Sequence, residues 1–213
     1  MTASPADATE KCRVAVVKES AKIAQAAAKL LQKCEESVRA GKLAGPCPDP
    51  GTAAKLAGAK GKTGTAVAKA CATSVGELNY GSCPNAQGPN GTATCGSILI
   101  TSKTAAGECL ACLGEEHAQE MTKASYGSFV DASADKKLAK CQATIGKSTA
   151  ALFVARSKLL AKCQGGVLAD KLVGPCPDGD QKTIDALAKA EAKMEAAICK
   201  ACGGADKLCD GVD

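Results

Sequence analysis

The chain has 213 residues, a net charge of +5, fourteen cysteines and a single histidine. It contains 43 alanines but only two Tyr, two Phe and no Trp, so thin aliphatic packing must be supplemented by something else. Its lysines alternate with acids and lack aromatic platforms, which excludes nucleic acid as a partner, and no apolar run is long enough to form a transmembrane segment.

The first segment, "MTASPADATEKC", lacks the charged and apolar regions of an export signal, and the chain is read as a mature form from which one has been removed. A long helix is then predicted. Val14, Val17, Ala21, Ala24, Ala28 and Leu31 recur at steps of three and four, with Cys12, Val16, Ile23, Leu30 and Cys34 as a neighbouring stripe. Cys12 and Cys34 face the same way but lie about 33 Å apart along the axis, too far to bond. "KLAGPCPDP" at 42–50 ends the helix: Gly45 suits its C-terminal cap, Pro46 and Pro48 stop it, and Asp49 is a candidate turn or N-cap residue. The next stretch, "LAGAKGKTGTAVAKAC", is predicted to be helical although Gly58, Gly61 and Gly64 each cost up to about 1 kcal/mol there.

Residues 72–104 read as an ordered loop rich in Gly, Asn, Pro and Thr, in which "ATCGSILITS" has β character but no evident partner strand. "AAGECLACLGEEHAQEMTKAS" reads as a helix. From residue 140 the opening pattern returns. Cys12, Cys34 and Cys47 map onto Cys141, Cys163 and Cys176 at a constant offset of 129. "KLVGPCPDG" at 171–179 repeats the turn, with Gly174 and Asp178 in the roles of Gly45 and Asp49. Beyond it the offset becomes 131, aligning Leu56 with Leu187, Val67 with Ile198 and Cys71 with Cys202. The expected fold is all-α: two antiparallel helical hairpins in tandem, at 11–71 and 135–202, with a cysteine-bearing loop and helix after the first. The units run from 1 to 128 and from 129 to 213, the second with a truncated extension.

An even number of cysteines spread along the chain, with His117 as the one histidine, points to disulfides in an oxidising compartment, extracellular or periplasmic. Cys34–Cys47 and Cys163–Cys176 are expected to seal the hairpin tips. Cys12–Cys71 and Cys141–Cys202 are expected to tie the open ends, with Cys199 closing on Cys209. Spacing leaves Cys199 open as an alternative partner of Cys141. Cys83 and Cys95 are expected to pair with Cys109 and Cys112 in an order the residues do not decide.

"LLQKC" and "LLAKC", followed by "KLAGPCPDP" or "KLVGPCPDG" and then "KAC", resemble the cysteine-rich helical repeats of uncharacterised, predicted secreted bacterial proteins. "SCP", "TC" and "CLAC" resemble the tail of that repeat. The resemblance spans roughly 11–122 and 140–210 and implies export and disulfides, with no catalytic residue to carry over.

Chemistry-bearing motifs are few. "CLAC" at 109–112 has CxxC spacing, but its helical, disulfide-rich surroundings differ from the strand-to-helix setting of a redox pair. Cys199 and Cys202 could join it around zinc only if both helices converged. His117, beside Glu115, Glu116 and Glu120, is expected to be a packed or solvent-facing histidine, and it misses the spacing of covalent haem attachment. "GAKGKTGT" does not fit GxxxxGK[ST] and follows no strand. Asn90-Gly91-Thr92 matches a glycosylation sequon. No catalytic set emerges and no cofactor or metal site is expected. The expected function is that of an exported, non-enzymatic structural or binding protein. Its partner would be a protein, including further copies of itself in a filament or surface layer, and the alternative is a thiol-based copper or zinc protein.

Overall fold

A computed structural model describes residues 5–71, 81–84, 95–127, 135–204 and 206–209. The described chain is all-helical: α1 (Pro5–Arg39), α2 (Pro50–Ala70), α3 (Lys103–Tyr126), α4 (Lys136–Leu168) and α5 (Gln181–Cys202), with a short 3-10 turn at Cys95–Ser97. Of the expected β character, the described residues 95–102 show that turn and one isolated antiparallel bridge, Ser82 to Leu99. A short apolar run with no strand to pair with takes the turn instead. The Asn90 sequon lies outside the described residues.

The helix α1 is the hub. It packs against α2, α3 and α4, while α5 rests on α4. Cys12–Cys71 and Cys34–Cys47 link opposite ends of α1 and the chain entering and leaving α2, so α2 returns antiparallel along α1. Helix α3 runs parallel to α1: Gly114 lies against Ile23 and Ala24, and Tyr126 bonds Glu36. Helix α4 runs antiparallel to α1, because Lys147 reaches Glu36 while Val167 and Leu168 lie beside Thr9 and Arg13.

The alanine content has its reason in these contacts. The buried residues of α4 toward its N-terminus are Ala139, Gln142, Ala143, Gly146 and Ala150, and α1 buries Ala21, Ala27 and Ala28. Small side chains let helix backbones approach closely, so dispersion contacts accumulate without large residues. Two clusters form the core. One joins Ala27, Ala28, Leu31, Leu56 and Ala118, capped by Phe153 and Val154. In the other, five of the eight buried members are cysteines, packed with Val67, Ile100 and Ala106.

The helix caps depart from expectation in one respect. Helix α1 ends at Arg39 and α4 at Leu168, before Gly45 and Gly174 are reached. The left-handed residue is Gly41 (φ +67°), and its equivalent is Asp170 (φ +50°). Lys42 N–H donates to the Ser37 carbonyl at 2.8 Å and Gly41 N–H to that of Val38 at 2.9 Å. Lys171 and Asp170 repeat both bonds onto Gly166 and Val167, at 2.8 and 3.1 Å. This six-residue closure satisfies the last carbonyls of each helix. Gly45 and Gly174 serve a different purpose: a Cβ there would come within 3.2 and 3.1 Å of Val38 and Val167, so glycine lets the turn lie over the helix end. Asp49 caps α2, accepting from Gly51 N at 3.0 Å and Thr52 N at 3.2 Å. Thr52 and the Gly51 amide hold its carboxyl below the usual range. In the second copy Asp178 stays in the turn and Asp180 takes the cap position, displaced by the two inserted residues. Gly41→Ala is expected to cost about 1–2 kcal/mol, since it places a Cβ in the left-handed region. Faster hydrogen exchange at Lys42 and Leu43 would report it, and unchanged protection would refute the cap assignment.

Candidate functional site

All fourteen cysteines are paired and none is free. Cys34–Cys47 and Cys163–Cys176 span Cα distances of 5.9 and 6.0 Å across 13 residues each. Cys12–Cys71 and Cys141–Cys202 span 4.5 and 4.9 Å, at sequence separations of 59 and 61. Cys199 meets Cys209 at 5.0 Å. The order left open in the first copy's extension is Cys83–Cys109 and Cys95–Cys112, at 5.6 and 5.7 Å. All seven distances lie within the range a disulfide spans.

This pairing bears on each chemistry-bearing motif. The two sulfurs of "CLAC" bond different partners, so 109–112 contains no dithiol–disulfide couple. Cys199 and Cys202 likewise bond Cys209 and Cys141. Cys95, Cys112 and Glu116 bring ligand-type atoms within 4.8 Å of one another, but the two sulfurs there are bonded together and are not thiolates. His117 is exposed, and its neighbours Glu115 and Glu120 pair with Lys60 and Lys123. "GAKGKTGT" lies inside α2, where one of its glycines, Gly64, acquires a packing role. A Cβ on Gly107 would lie 2.5 Å from the Gly64 Cα, so the two backbones cross with no side chain between them.

Beside that crossing lies a groove of about 920 Å³ between α2 and α3. Gly61, Gly64 and Ala68 from α2 and Gly107 and Ala111 from α3 give it a lining of small residues, with Ile98 as the one large aliphatic side chain. Its rim carries four carboxylates, Glu108, Glu115, Glu116 and Glu120, against two lysines, Lys60 and Lys123. The groove is therefore acidic on a chain whose net charge is +5. Sequence reasoning did not find it. The available signal was the contrast between copies: Gly58, Gly61 and Gly64 align with Lys189, Ala192 and Glu195 at the offset of 131.

A second polar cluster sits where α1, α3 and α4 meet. The Tyr126 hydroxyl donates to Glu36 at 2.8 Å, and Arg39 and Lys147 approach the other Glu36 oxygen at 3.4 and 3.5 Å. Burial, with the Glu36 carboxylate second, pushes the Tyr126 hydroxyl far above its ordinary value. Tyr126 is only 5% exposed and fills the space above Gly146. The cluster is a junction between helices.

None of the described helices is long and apolar enough to cross a membrane. Comparison with family models, with curated proteins and with solved structures finds no match, so the functional reading rests on this geometry.

Proposed function

We propose that the protein is an exported, non-enzymatic structural or binding protein made of two disulfide-stapled helical hairpins in tandem, units 1–128 and 129–213, that self-associates into a filament or surface layer. The observation that carries this reading is the cysteine frame: fourteen sulfurs in seven bridges, none left for redox or metal chemistry. Such a set is kept oxidised outside the cytosol, in the periplasm or beyond. The frame holds small-residue helices rigid, and rigid helical repeats present extended surfaces for neighbours. The rival reading, thiol-based copper or zinc binding, needs free thiolates.

Intact mass after alkylation of the natively isolated protein, before any reductant, separates the two. No added label is expected. Labelling of all fourteen cysteines would overturn the structural reading and favour the metal one.

A further inference from the structure

The groove between α2 and α3 raises a question that packing within the chain does not answer. Gly64 is explained by Gly107, but Gly61, which also lines the groove, is exposed, and a Cβ on it would meet nothing within 4 Å. Each glycine costs about 1 kcal/mol relative to alanine in a helix interior. The aligned position 192 holds alanine, so a helix there has no intrinsic need of glycine. Bare backbone that benefits nothing inside the chain is suited to close approach from outside it.

A matching surface lies on α5. Ala188, Ala192 and Ala196, spaced four apart, are all exposed and form a small-residue ridge along the outer face of the helix. On one side the ridge is bordered by Lys182, Lys189, Lys193 and Lys200, which at about 100° per residue fall within an arc of roughly 40°, while Glu195 borders its other side and Asp185 continues its line toward the helix N-terminus. All four lysines are exposed, and none is in an ion pair among the described residues. The alanine ridge matches the glycine and alanine lining of the groove in shape, and the lysine-bearing flank of α5 complements the α3 side of the groove, where four carboxylates outnumber the lysines Lys60 and Lys123.

We infer that α5 of one copy seats its Ala188–Ala192–Ala196 ridge in the α2–α3 groove of a second copy, with its lysine row against Glu108, Glu115, Glu116 and Glu120. Ridge and groove cannot meet within one chain. Helix α5 is held on α4 by Cys141–Cys202 and Cys163–Cys176, while α2 and α3 pack on α1. Two different patches therefore join, which makes the contact heterologous and allows it to propagate head to tail. The inference rests on the self-association proposed above and names its two surfaces.

The test is sedimentation velocity of the oxidised full-length protein across a concentration series, at low and high salt. The wild-type chain is expected to form species larger than a monomer, with association weakened by salt. Lys189→Glu with Lys193→Glu, and separately Glu115→Lys with Glu120→Lys, should each weaken self-association by about 100-fold, because like charges then face each other. Mixing the two variants should restore assembly, since every ridge then meets a groove of opposite sign. Gly61→Leu should block association while raising the melting temperature, which separates loss of the surface from loss of the fold. If the wild type assembles and both charge variants assemble equally well, this interface is wrong while the self-association reading survives. A wild-type chain that stays monomeric throughout removes both. Variants that fail alone and also fail when mixed overturn the pairing of these two surfaces.

Discussion

Reducing the seven disulfides is expected to lower the melting temperature by roughly 30 °C or more, taking about 2–4 kcal/mol per bridge and about 2–4 °C per kcal/mol for a chain of this size. The basis is the composition of the core. Cysteines make up five of the eight buried residues in one of the two clusters, and the other relies on alanine and leucine with Phe153 at its edge. After reduction the thiols still pack as small apolar groups. What is lost is the restriction on the unfolded chain, about 4 kcal/mol for a loop as long as that closed by Cys12 and Cys71. Thermal unfolding followed by circular dichroism with and without reductant measures the effect, and a shift under about 5 °C would show that the bridges do not carry stability in the sense of that entropic account. The bridges should also differ in order of loss. Cys12 and Cys71 are 0% and 1% exposed because α3 and its loop cover them. Their counterparts Cys141 and Cys202 are only half-buried and Cys209 is exposed. Under limiting reductant, mass spectrometry should find Cys199–Cys209 and Cys141–Cys202 open before Cys12–Cys71, because exchange requires access to sulfur.

Gly146→Ala should destabilise the protein by about 2–4 kcal/mol, combining overpacking with a lost buried hydrogen bond. The added Cβ would fall 1.9 Å from the Tyr126 hydroxyl oxygen and 2.1 Å from the ring carbon bearing it. Tyr126 cannot simply swing aside, because it is buried and donates to Glu36 at 2.8 Å. The substitution therefore pushes α4 away from the end of α3 or expels the ring. Tyr126→Ala alone should cost about 3–5 kcal/mol through its cavity. The double variant should cost at least about 1 kcal/mol less than the sum, since the methyl then enters vacated space. Additive effects in denaturant titrations would refute the contact. The same tyrosine gives a pH signature. Its proton is held above the ordinary value of about 10, so its contribution is complete below that pH and is lost as the pH rises through and beyond it. Tyr126→Phe should flatten that part of the stability profile relative to wild type, with lysine deprotonation common to both chains.

The helices were legible because their signals are local. Val14, Val17, Ala21, Ala24, Ala28 and Leu31 fall on one side of a 3.6-residue period, and no glycine or proline interrupts α1 after Pro5. Glycines in α2 weaken that signal without reversing it, and the second copy's cleaner pattern resolves the ambiguity. The repeat offset of 129, becoming 131, together with the distance along one helix, restricts which cysteines of each copy can approach.

The remaining features depend on which helices become neighbours, and that is a tertiary matter. Cys83 and Cys95 lie 26 and 17 residues from the partners they take, with two sulfurs one helical turn apart to choose between, so only the placement of α3 on α1 selects the order. Gly64 and Gly107 look like separate weaknesses in two helices until their backbones cross. Tyr126 and Glu36 are 90 residues apart, and nothing local marks them as partners. By itself, the sequence determined the helical class and the sulfur-rich frame, because periodicity and spacing act through neighbouring residues. Only the tertiary structure decided that α1 is the hub, that α3 packs across α1, α2 and α4, and that an acidic groove lies between α2 and α3. Those outcomes depend on close approach between small-residue faces far apart in the chain, which no local pattern encodes.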